Sequence, residues 1–83
     1  MKTLEFKVAK NIVFDAKMAG KIVTALSDIS SNVFIIASNA RVNAKSIIGV
    51  ISLALKPGDK FAVCAQGSDA DQAIEIVKKF LAE

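Results

Sequence analysis

The chain has 83 residues, carries Lys+Arg 11 against Asp+Glu 8 for a formal charge of +3, and is 53% hydrophobic. That length accommodates one domain, expected to span residues 1–83, and is short for two. A single Cys precludes an internal disulfide framework, and the complete lack of His removes Ser-His-Asp and Cys-His nucleophile pairs, His-ligated zinc and imidazole acid–base chemistry.

Residues 3–8 alternate with period two, Leu4, Phe6 and Val8 against Thr3, Glu5 and Lys7, which is the pattern of a half-buried strand. From Asp15 the period lengthens. Ala16, Ala19, Ile22, Val23 and Leu26 recur at helical spacing to about Ser27, with Lys17, Lys21 and Thr24 on the other side. Asp15 stands where an N-cap belongs. Residues 28–32 are turn material and 33–37 read as a second strand. Ser38-Asn39-Ala40 then turns the chain into a short third strand at 41–43.

Ser46 opens a helical segment, SIIGVISLAL, in which Ile47, Val50, Ile51 and Leu55 share a face. Gly49 weakens it by roughly 1 kcal/mol relative to Ala, a sign of close packing or of a short helix. Lys56-Pro57-Gly58-Asp59 is a turn. Residues 60–66 alternate again, with Phe61, Val63 and Ala65 inward and Lys60, Ala62, Cys64 and Gln66 outward. Gly67-Ser68-Asp69 introduces a last helix striped by Ala73, Ile74, Val77, Phe80 and Leu81. Its early acids and its late Lys78 and Lys79 suit the helix dipole.

The order β-α-β-β-α-β-α predicts an α+β two-layer sandwich, with three helices over one face of a four-stranded antiparallel sheet. The longest mostly apolar stretch, residues 47–55, is far short of the roughly 20 residues that cross a bilayer. The first residues lack the apolar core of a signal peptide. Scattered Lys residues without Tyr or Trp argue against nucleic acid as a partner. A cytoplasmic protein without membrane contact, cofactor or metal is expected.

Asn43-Ala44-Lys45-Ser46-Ile47-Ile48-Gly49-Val50-Ile51-Ser52-Leu53 resembles the regulatory-serine segment of the HPr phosphocarrier family of the bacterial sugar phosphotransferase system. Phe6-Lys7-Val8, Ala65-x-Gly67 and Ala73 match at the family's spacing, so the resemblance covers nearly the whole chain. It implies an open-faced sandwich with strand order 1-4-2-3 and a non-catalytic, carrier-like or regulatory protein. One segment departs. Where the family carries G-[IL]-H-[AT]-R-[PA], this chain reads Val13-Phe14-Asp15-Ala16-Lys17-Met18, with Asp15 at the histidine position, Lys17 at the arginine and Met18 at the proline. Phosphate transfer from enzyme I to a sugar permease through a phosphohistidine is therefore closed to it.

Asp15 admits three roles. It is an N-cap carboxylate, or a partial mimic of a phosphorylated residue beside Lys17, or an unconventional acyl-phosphate acceptor. Ser46 reads as an N-cap or, by the resemblance, as the target of HPr kinase/phosphorylase, and one residue can do both. The resemblance also makes Ile47, Ile48 and Ile51 a docking surface for phosphotransferase-system proteins, an HPr-kinase-like enzyme or a transcriptional regulator. Ordinary core packing suits Val50 and Leu53 better.

On the outer sheet face, Phe34 and Ile36 neighbour Ala62 and Cys64, predicting an exposed apolar patch for a homodimer or another protein. Cys64 has no partner for catalysis. Three functions compete: a regulatory adaptor, a carrier that uses Asp15, and an interaction module that kept only the fold.

Overall fold

A computed structural model describes residues 1–82 of the chain. Among them the elements run β1 (Lys2–Lys7), α1 (Ala16–Ala25), β2 (Asn32–Ala37), β3 (Ala40–Asn43), α2 (Ile47–Ser52), β4 (Lys60–Gln66) and α3 (Ala70–Leu81). The four strands make one antiparallel sheet in the order β1-β4-β2-β3, as the resemblance implies. Strict alternation on the two central strands decides which face the helices cover. Val33, Ile35, Phe61, Val63 and Ala65 are buried beneath them, with Ile22 and Leu26 from the first helical segment, Val50 from α2 and Val77 and Leu81 from α3. Side chains at positions i and i+2 of a strand share a face, so the same alternation turns Phe34, Ile36, Ala62 and Cys64 to the other side.

Three expectations need correction. The helical pattern of the second segment runs to Leu55, but α2 stops at Ser52, with Leu53 as its C-cap. Ala54 follows in the left-handed region at φ 49°, and its N–H donates to the Ile51 carbonyl at 3.0 Å. A left-handed residue after the C-cap ends a helix, and Gly is the usual sequence signal for it. Here Ala carries the turn, so the pattern gives no warning. Gly49 is explained by proximity: a Cβ there would lie 3.3 Å from Ser46 Oγ and 3.4 Å from Val42 Cβ.

The second correction concerns β1. Leu4 lies on the helix-facing side yet is 44% exposed, because an edge strand extends past the helices' cover. The third concerns the outer face. Cys64 is only 5% exposed, and Phe34, Ile36 and Ala62 are half-buried. The small thiol sits on a central strand between Thr3 and Phe34, and Arg41 lays its guanidinium 3.9 Å above the Phe34 ring. The face is apolar at its centre, but it is neither flat nor fully open.

Candidate functional site

Asp15 ends the loop before α1 in extended backbone, φ −137° and ψ −175°. That conformation lets the side chain fold back on the helix it precedes, and Oδ1 accepts from the Met18 N–H at 2.9 Å. The Asp15 carbonyl accepts the first helical bond, from the Ala19 N–H at 3.0 Å. The cap reading of Asp15 is thus realised in geometry. Lys17 shares a small cleft of about 190 Å³ with Asp15, lined also by Asn11 and Met18. It forms no ion pair with that carboxylate: among the described residues the one ion pair joins Lys2 and Asp71.

Ser46 repeats the arrangement at α2. Its backbone is extended, φ −110° and ψ 118°, and its Oγ accepts from the Gly49 N–H at 3.1 Å. Asn43 Oδ1 accepts from the Lys45 N–H at 2.9 Å and shapes the approach. The Lys45 ammonium donates to the Ile29 carbonyl, which draws that charge away from Ser46. Beyond the cap, Ile47, Ile48 and Ile51 are exposed, Ile48 by 81%, while Val50 is fully buried and Leu53 half-buried. The six-residue helix therefore divides its isoleucines from its valine as a surface element does.

One groove reaches residues near both caps. An open groove of about 820 Å³ runs between the helices, lined by Lys17, Gly20, Lys21 and Thr24 of α1, Ile47 of α2 and Phe80 of α3. Lys17 borders both this groove and the Asp15 cleft. The result is an apolar strip with two lysines on its rim and a capping carboxylate at one end.

One cluster is not anticipated by the sequence. Asp69 stands where it could help start α3, but it makes no side-chain cap bond. Its Oδ2 accepts from Ser30 N–H at 2.9 Å and Ser30 Oγ at 3.2 Å, and its Oδ1 from Ser31 N–H at 2.9 Å and from the Ser31 hydroxyl. The Ser31 hydroxyl, then the Ser30 N–H, do most to hold this carboxyl at about 2, below the usual carboxylate range. Gly67 makes room for the contact: at φ +147°, a Cβ on it would come within 2.8 Å of Ser31 Cα. The partners lie nearly forty positions apart, so no local pattern reveals them.

The comparisons with known proteins agree with this architecture. A family model described as the PTS HPr component phosphorylation site matches residues 2–83. The phosphocarrier protein HPr of Lysinibacillus sphaericus is 35% identical over 83 residues, covering 100% of this chain and 94% of that protein. The crystal structure of HPr from Bacillus anthracis superposes with a TM-score of 0.88 at 29% identity, over 96% of this chain and 95% of that one. The HPr-like protein Crh of Bacillus subtilis is 35% identical over 68 residues, 82% of this chain and 80% of that protein. Its crystal structure, a dimer with a swapped domain, superposes with a TM-score of 0.74 at 32% identity, over 89% and 82%. An open-faced sandwich built this way has the HPr-type fold. The chain belongs to the HPr family.

Proposed function

We propose that the chain is a regulatory adaptor of the phosphoenolpyruvate-dependent sugar phosphotransferase system, acting by protein–protein binding with Ser46 as its switch. Membership of the HPr family supports the system, and the Crh relatives support a regulatory variant of it. The observation that carries the reading is the surface of α2, where Ser46 caps a helix that presents Ile47, Ile48 and Ile51 to solvent. Apolar side chains exposed together on a small protein mark a docking surface. A phosphate on Ser46 would add a charge of about −1.5 to −2 at its edge. With the Lys45 ammonium engaged elsewhere, that charge remains available to a partner's cation.

Asp15 takes the position of the family's acceptor histidine, and its carboxylate supplies a permanent single charge there. Because the same carboxylate caps α1, it acts as a fixed feature of the docking surface rather than as a site of turnover. The family's kinase acting on Ser46 with ATP tests the reading by intact mass. One phosphate is expected on the native chain and none on Ser46→Ala. Ile48→Ser should abolish capture of the phosphotransferase-system partner with the Tm unchanged, because the side chain is 81% exposed. If the native chain took no label and the Ile48→Ser variant captured the same proteins as the native chain, the adaptor reading would fail, leaving a carrier that uses Asp15 or an interaction module that kept only the fold.

A further inference from the structure

Among the described residues, all three helices pack on one side of the sheet, and none of these residues forms an element over the other. Two cross-strand rows lie at the centre of that uncovered face. One runs Thr3, Cys64, Phe34, Asn43 and the next Glu5, Ala62, Ile36, Arg41, from β1 to β3. Each row sets a small residue on β4 beside a large one on β2. The second row also ends in an acid on one edge strand and a base on the other.

We propose that this face is a homodimer interface, occupied by a second copy of the chain. The proposal goes beyond the adaptor reading and is independent of Asp15 and Ser46. A two-fold axis parallel to the strands, between β4 and β2, lays each row on its own reverse. Phe34 then faces the partner's Cys64, and Ile36 faces the partner's Ala62, large upon small. Glu5 meets the partner's Arg41, and Arg41 meets the partner's Glu5, so two ion pairs flank an apolar centre. An isologous contact needs self-complementarity of this kind.

The other two-fold axis, across the strands, fails on the same residues. It stacks Phe34 on the partner's Ile36, leaves a gap between Cys64 and the partner's Ala62, and keeps Glu5 away from the partner's Arg41. Sheets packed face to face cross at about 30°. With strands about 4.8 Å apart, the edge strands lie only ~7 Å from the axis, so long Glu and Arg side chains span the offset. Arg41 leaves the Phe34 ring it covers in the single chain, which frees the ring for the partner's Cys64 and the guanidinium donors for the partner's carboxylate.

Sedimentation equilibrium across a wide concentration range, with a thermal melt of each variant, tests the interface. The native chain should dimerise. Glu5→Arg and Arg41→Glu should each weaken the dimer by about tenfold or more, since like charges then oppose across it. The double variant should recover near-native affinity, and an equimolar mixture of the two single variants should form a heterodimer. Ala62→Arg, at the centre of the face, should give a monomer. A native chain that stays monomeric at every concentration would overturn the proposal. So would a dimer indifferent to these charges, as one formed by strand exchange would be.

Discussion

Asp15 and Asp69 both precede helices, and Asp is among the residue types preferred at an N-cap. Asp15 has the extended backbone a cap requires and spends its carboxylate on Met18, three residues on. Asp69 has φ −110° and ψ 29°, which turns its side chain away from α3, and it spends its carboxylate on Ser30 and Ser31. One acid is a local feature of an exposed surface. The other ties the start of α3 to the residues leading into β2 and settles a buried hydroxyl, since Ser31 is 1% exposed. Identical chemistry in similar sequence positions thus serves a local cap in one place and tertiary cohesion in the other. Backbone conformation, rather than residue type, makes the choice.

Substitutions should separate the two acids clearly. Asp69→Ala leaves the Ser31 hydroxyl and N–H without an acceptor in a place water hardly reaches. The expected result is the largest loss, a fall in Tm of about 10 °C by calorimetry, and Asp69→Ser should not restore it. The acid limb of stability should follow the same residue. A carboxyl depressed to about 2 in the fold, against roughly 3.9 in the unfolded chain, stabilises fully above the higher value. That contribution should be lost as pH falls from about 4 to about 2. Denaturant midpoints for native and Asp69→Asn chains should therefore converge in this window.

Asp15→Ala removes one cap bond and should cost about 1 kcal/mol, while Asp15→Ser, which caps as well, should recover most of it. If Asp15→Ala cost as much as Asp69→Ala, the division between local and tertiary acids would fail. The smallest expected effect is a gain. Ala54→Gly relieves a left-handed backbone at φ 49° and should stabilise by about 0.5–1 kcal/mol in a denaturant titration.

What the chain reveals in advance follows the same division. The extent that alternation predicts for the fourth strand, Lys60–Gln66, is that of β4, and the caps Asp15 and Ser46 are both where short-range patterns place them. These features depend on neighbours within four positions. The end of α2 is not legible because Ala54 adopts a conformation for which its side chain gives no signal. The burial of Cys64 is not legible either, because alternation assigns a face but says nothing of what Thr3, Phe34 and Arg41 do around it. The Asp69–Ser31 tie is invisible in the sequence because it is made only when the chain has closed on itself.

The central claim is that Asp15 is a capping carboxylate fixed on a docking surface and does not take up phosphate. Its most direct test is the intact mass of the chain after incubation with enzyme I and phosphoenolpyruvate. The mass should stay unchanged. An added phosphate on Asp15, stable in acid but removed by base and hydroxylamine, would contradict the account and make the chain an atypical carrier.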